Sequence, residues 1–184
     1  MEKKYELTEE TLEIDGHVLN RIIALRDFGE VKKGDLGGFI EKESNLAHDW
    51  NCWIYNDAVV RDDAMVCGEA RVCGEARVFG EARVFGEAEV YGKAEVCGEA
   101  RVYGKAKVRG EAVIKSKSDY IVFKNWWSSG RYFTWTSSND MWSVGCFYGT
   151  GEELIKKAYA DNEEKGREYE RVVKYVESIK QELK

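Results

Sequence analysis

Arg83 and Arg101 stand eighteen residues apart, and each is followed two positions later by an aromatic residue, Phe85 and Tyr103. A guanidinium offers a planar fork of donors that grips anions and stacks on flat rings. If the fold brings these four residues together, they form an anion-binding stripe between aromatic walls. A second group lies near the C-terminus. Arg131 follows the turn Ser128-Ser129-Gly130 and is close in sequence to Trp126 and Trp127, while Thr150 and Gly151 precede the acidic pair Glu152 and Glu153. Backbone N–H groups at a helix start receive anions. A cation, indole faces and a helix N-terminus would suit a nucleotide-like ligand, although a small sheet also needs large aromatics simply to have a core. For catalysis the candidates are few. Only His17 and His48 are present, and His48 is the one plausible general base. The two His and five Cys show none of the usual metal-ligand spacings, so no metal site is expected, and no cofactor motif stands out.

The element that must position Arg83 and Arg101 is a repeat. Val recurs every six residues from Val60 to Val108, with Ile54 and Ile114 extending the series, and Ala recurs every six from Ala58 to Ala112. Gly follows each Val by two residues from Gly68 to Gly110, with Asn56 and Asp62 in that slot earlier. A period of six fits neither a heptad nor a surface helix. Strand-and-bend units of six build a triangular prism, three units to a turn of eighteen. Each strand then pairs in parallel with the strand one turn on, about 4.8 Å away. Val and Ala fill the narrow interior, and Gly turns the corners. Ile40/Ser44 and Leu46/Trp50 would add most of another turn before two extra residues, Cys52-Trp53, shift the register.

Stacking the outward residues at eighteen yields three faces. One carries Arg71, Glu89 and Lys107, and another Arg77 and Glu95, so each is expected to balance its charges across strands. The third carries Arg83/Phe85 and Arg101/Tyr103 without an intervening acid. Like charges on adjacent strands cost a few tenths to about 1 kcal/mol unless something compensates. The adjoining corner stacks Asp63, Glu81 and Glu99. Either the arginines reach those acids, in the same subunit or a neighbour, or they meet an anionic or planar ligand.

Around the prism, residues 1–39 are expected to form a β cap of short strands (Tyr5 to Leu7, Leu12 to Ile14, Val18 to Leu25), covering strand edges that would otherwise be open. Residues 40–116 form the repeat. Residues 117–184 form a small α+β module: three aromatic strands near 119–127, 131–136 and 141–148, a helix opening at Gly149-Thr150-Gly151, and a second helix after Gly166. The stripe Tyr169, Val172, Val173, Val176, Ile179 and Leu183 is expected to dock on the sheet, with a three-stranded coil as the other option.

The repeat resembles the left-handed parallel β-helix of the hexapeptide-repeat superfamily. The segments Ala24-Leu25-Arg26-Asp27-Phe28-Gly29, Gly34-Asp35-Leu36-Gly37-Gly38-Phe39 and Cys52-Trp53-Ile54-Tyr55 are similar to phage and prophage members and to the opening segment of bacterial acetyltransferase-like members. The tail Gly145-Cys146-Phe147-Tyr148-Gly149-Thr150 resembles the phage-type proteins. The resemblance implies left-handed coils, a mainly β fold and a homotrimer packed along the prism axis; the Arg83/Arg101 face is the expected contact. The superfamily's acyltransferases use a His base and often a long loop, whereas here no His and no loop interrupts the regular coils. The favoured expectation is therefore a non-catalytic, phage-derived trimer that sequesters a small anionic, nucleotide-like ligand or a host factor to counter host defence. Acyl-CoA-dependent acyl transfer and a virion scaffold are the alternatives.

Composition narrows the rest. A net charge of −6 argues against general nucleic-acid binding. Cys52, Cys67, Cys73, Cys97 and Cys146 form no C-x-x-C pair, and three of them alternate with Phe or Tyr in one slot of the repeat. They read as free thiols in a reducing cytoplasm. Without an apolar run near the spanning length, membrane insertion is not expected, and without a targeting segment the expected location is cytoplasmic, the host cytoplasm for a phage protein.

Overall fold

From Trp53 onward the chain alternates pairs of extended residues with tight bends. The computed structural model describes residues 2–125 and 128–182. Before the bends come β1 (Tyr5–Ile14), β2 (His17–Ala24) and β3 (Leu36–Ile40). The two-residue strands follow: β4 (Trp53–Ile54), β5 (Val59–Val60), β6 (Met65–Val66), β7 (Arg71–Val72), β8 (Arg77–Val78) and β9 (Arg83–Val84). Then come β10 (Glu89–Val90), β11 (Glu95–Val96), β12 (Arg101–Val102), β13 (Lys107–Val108) and β14 (Val113–Ile114). They stack as three parallel faces, β4-β7-β10-β13, β5-β8-β11-β14 and β6-β9-β12, which together make a β-solenoid.

The expected turn length holds: Val66 lies opposite Val84 and Val84 opposite Val102. Backbone bonds run from one turn to the next, as in Arg71 N–H to Ala88 O and Cys73 N–H to Val90 O, both 2.9 Å. The Val column from Val60 to Val108 and the Ala column from Ala58 to Ala112 are buried. Corner geometry explains the glycines. Gly86 has φ +71°, and a Cβ there would lie 3.0 Å from the Gly104 nitrogen. Asn56 and Asp62 adopt the same left-handed conformation at φ 56°. Their side chains accept the N–H groups of Gly74 and Gly80 on the next turn.

The coil begins before the regular phrase. Phe39 and Ile40 pair with Val59 and Val60, and Leu46 bridges to Val66. These spacings exceed the regular turn by two residues, which accommodates Cys52-Trp53, both fully packed in the core. β1 and β2 pair antiparallel and β2 covers β3, closing that sheet edge. β1 is one strand with an irregularity between Leu7 and Thr11, where two short strands were expected. A bulge lets the chain change register without leaving the sheet.

At the other end, Tyr120 occupies the position one turn after Val102; it is buried and donates to Arg101 O at 2.9 Å. The last turn has no successor to accept its N–H groups. Hydroxyls of the C-terminal module take that place: Lys107 N–H donates to Thr134 Oγ1 at 2.9 Å and Val113 N–H to Ser138 Oγ at 2.8 Å. That module is an antiparallel sheet of β15 (Tyr120–Lys124), β16 (Tyr132–Thr136), β17 (Met141–Val144) and β18 (Phe147–Gly149). The expected third strand is thus two, because Gly145 at φ +59° turns the chain between them. α1 (Gly151–Asp161) and α2 (Glu163–Glu182) follow. α2 starts before Gly166, which is not a boundary. It lies within the helix where a Cβ would strike the Tyr159 ring at 2.2 Å, so the helices approach closely there. Tyr169, Val173 and Val176 pack with Phe133, Trp135, Trp142 and Leu154, so the apolar stripe docks on the sheet. Leu183 and Trp126 lie outside the described residues. No helix among the described residues is long and apolar enough to cross a membrane.

Candidate functional site

Arg83 and Arg101 are directly opposed on β9 and β12, so the solenoid does bring them together on one face. Both are exposed. Phe85 and Tyr103 stack beside them with ring centroids 5.3 Å apart and planes 10° from parallel. A groove of about 730 Å³ runs along the face, lined by Arg83, Arg101, Asp63, Glu81, Glu99, Lys115, Ser116 and Lys117. Among the described residues, neither arginine forms an ion pair, and neither do Glu81 and Glu99; Asp63 pairs with Lys42 across the corner. The arginines therefore do not reach the acidic ridge within this chain.

The other faces depart from the expected charge alternation. Lys107 does pair with Glu89 at 3.0 Å. Arg71 instead pairs with Glu30 of the cap at 3.1 Å, because the cap loop offers it a carboxylate. Arg77 and Glu95 are opposed in register yet form no ion pair among the described residues. Register alone brings Cβ atoms together, and two long exposed side chains lose entropy when they clasp. Arg109 lies over the Tyr91 ring at 4.2 Å and donates to Phe147 O at 3.2 Å. Burial lowers its pKa although Glu89 opposes the change.

His48 lies in the irregular first turn of the coil, against the cap. Its Nδ1 accepts the Lys4 N–H at 3.2 Å, its ring stacks on Tyr5 at 4.4 Å, and its Nε2 lies 3.6 Å from Glu43. None of these contacts involves the arginine groove. Beside it lies a feature the sequence did not disclose: Lys4 is fully buried, and its Nζ donates to Cys52 O at 2.8 Å and meets Cys52 Sγ at 3.2 Å. Burial lowers the lysine pKa and raises that of the thiol, each partly offset by the other. No motif or spacing in the sequence singles out Lys4, so only the fold reveals it.

His17 also gains partners. Its Nδ1 lies 3.0 Å from Glu41 Oε1 and its Nε2 3.6 Å from Asp62 Oδ1. One ligand atom from each of the three falls within 4.8 Å of the others, a spacing that a metal ion could use. The surroundings fit a cation poorly. Arg61 Nη1 lies 3.5 Å from His17 Nε2 and 2.9 Å from Asp62 Oδ2, while Glu41 Oε2 accepts the Asp62 N–H at 2.6 Å. The guanidinium already balances the carboxylates, and the cluster ties β2 to the first coil. The His17 hydrogen bond leads in holding Glu41 below its ordinary pKa. Burial alone would raise Asp62, but the Gly80 N–H and the Arg61 charge overcome it and hold it low.

The tail candidates do not assemble into one site. Thr150 caps α1, and the Glu153 carboxylate accepts the Thr150 N–H at 2.8 Å while Thr150 Oγ1 accepts the Glu153 N–H at 3.3 Å. The helix start thus already holds a carboxylate of its own. Arg131 lines a different hollow, with Lys157, Asp161, Lys165 and Tyr169.

No family model matches the chain. A stretch of 66 residues is 39% identical to YdcK of Escherichia coli (strain K12), a protein named as an uncharacterized acetyltransferase; it covers 32% of this chain and 20% of that protein. The match therefore spans a fifth of the relative's length. Together with the stacked six-residue coils, it fits the hexapeptide-repeat family: the chain is a β-solenoid built on that repeat.

Proposed function

We propose that this chain is a non-catalytic binding protein whose Arg83–Arg101 groove captures a small anionic, nucleotide-like ligand at a boundary between subunits of a homotrimer. The observation that carries this reading is the opposed, exposed arginine pair that forms no ion pair among the described residues, flanked by the Phe85–Tyr103 stack. Two guanidinium forks in the groove suit a phosphate, and the Phe85–Tyr103 stack, which lies outside the groove lining, offers a flat surface to a base that extends past the arginines. The groove volume falls within the range of small-molecule sites. The trimer rests on the family resemblance, and it would set the Glu81 and Glu99 ridge of one copy against the arginines of the next unless ligand intervenes. A role in countering host defence rests on the resemblance to phage proteins alone.

Native mass spectrometry of the purified protein, followed by thermal-shift titration with mono-, di- and cyclic nucleotides, tests the reading. The expected result is a trimer whose melting temperature rises with at least one nucleotide, and a rise that Arg83→Ala with Arg101→Ala removes. A monomer, or no response to any nucleotide, overturns it. Acyl transfer is the second reading, favoured by the name of the E. coli relative. Against it stands His48, whose Nδ1 is engaged by the Lys4 N–H. Acetyl-CoA turnover that disappears in His48→Ala would establish acyl transfer instead.

A further inference from the structure

A second cleft, of about 320 Å³, opens between α1, α2 and the C-terminal sheet. Its floor includes Trp142, which is 2% exposed. Among the described residues the Trp142 indole N–H has no hydrogen-bond acceptor, and its nitrogen is not sealed in the core although the rest of the ring is; Trp142 lines the cleft. The nitrogen lies against the helix start: a Cβ on Gly151 would lie 3.3 Å from Trp142 Nε1. Gly151 and Glu152, the first two residues of α1, likewise have no acceptor for their backbone N–H groups among the described residues; the Glu153 carboxylate serves Thr150 instead. Three donors therefore line one cleft, and two of them lie at the positive end of an 11-residue helix.

The charges around these donors select the ligand. Asp140 is satisfied by the Trp135 indole at 2.8 Å and by Lys180 at 2.6 Å. Glu152 and Glu177 also line the cleft and take part in no ion pair among the described residues. A bare anion would meet the donors but also two carboxylates. A molecule carrying a cation beside its own carboxylate satisfies both.

We infer that this cleft binds a small zwitterion of the α-amino acid class, its carboxylate accepting from Trp142 Nε1–H and the Gly151 and Glu152 N–H groups, its ammonium facing Glu152 and Glu177. The inference is independent of the arginine groove. The test titrates the full chain with each of the twenty proteinogenic L-amino acids, with acetate and methylamine as single-charge controls, following the Trp142 indole N–H resonance and the melting temperature. At least one amino acid is expected to shift that resonance, with affinity at least tenfold above either control. Trp142→Phe is expected to weaken binding by about tenfold or more, the loss typical of a hydrogen bond to a charged group. Glu177→Gln is expected to narrow the margin between the amino acid and acetate. If Trp142→Phe does not fold, the resonance is assigned through its proximity to the Val173 methyls and the wild-type titration decides. Silence of the indole to every amino acid up to about 10 mM overturns the inference. So does acetate binding as tightly as the amino acids, or unchanged affinity in a folded Trp142→Phe. Arg83→Ala with Arg101→Ala is expected to leave this binding intact, so either proposal can fail alone.

Discussion

The coil and the C-terminal module bury their residues by opposite strategies. The coil repeats one environment: along each face Val stacks on Val, with Ile40, Ile54 and Ile114 at the ends of two of the columns, and the Ala column is buried throughout. The module uses single, large, unlike side chains, such as Phe133 set edge-on to both Trp142 and Tyr169. A repetitive stack spreads a defect to its nearest neighbours only. A jigsaw of aromatics concentrates it. The two regions should therefore fail differently, and the largest expected effect lies in the module. Phe133→Ala is expected to cost about 3–5 kcal/mol and to melt the module while the coil keeps its amide protection. Hydrogen exchange showing simultaneous loss of coil protection would break the contrast.

Within the coil, the corner is the demanding position. Gly86→Ala combines a left-handed backbone with a 3.0 Å approach to the Gly104 nitrogen, so a loss of about 2 kcal/mol is expected in chemical denaturation. Gly86→Asn, which copies the Asn56 solution, should recover part of it. A smaller effect is expected at the seam between the regions. Thr134→Val removes the acceptor of the Lys107 N–H and should cost about 1 kcal/mol, read as faster exchange of that single amide. An unchanged exchange rate would mean the last turn does not depend on the module. The smallest effect concerns pH. Glu41 has a lowered pKa in the folded chain, so its contribution is full above the ordinary value of about 4.5 and is lost as pH falls through the lowered one. Glu41→Gln should flatten the loss of stability in acid, and an identical slope between pH 3 and 6 would sink the assignment.

How much could be read beforehand follows the same division. The Val and Ala columns, the corners at Gly86 and Asn56, and the opposition of Arg83 with Arg101 follow from period alone, because a regular stack makes sequence spacing a spatial coordinate. The register step at Cys52-Trp53 was legible for the same reason. What eluded the sequence needed side-chain reach or single-copy packing: Arg71 turning to Glu30, Lys4 buried against Cys52, and Gly166 inside α2 against Tyr159. The tail donors were half visible. Gly151 was readable as a helix start, but the self-capping by Glu153 and the open indole of Trp142 depend on how α1 lies on the sheet.

The hydroxyl seam has a consequence for how such a protein could change length. Thr134 and Ser138 engage backbone N–H groups of Lys107 and Val113, atoms that every turn presents in the same place. The module therefore reads the phase of the stack and is blind to the number of turns beneath it. Duplicating the segment between Arg83 and Arg101 would leave both ends in phase and add a third arginine to the row. Duplicating only one six-residue phrase would rotate the module by a third of a turn and move it to a different face. Gene duplication could thus tune the reach of the arginine row in whole-turn steps without redesigning either end.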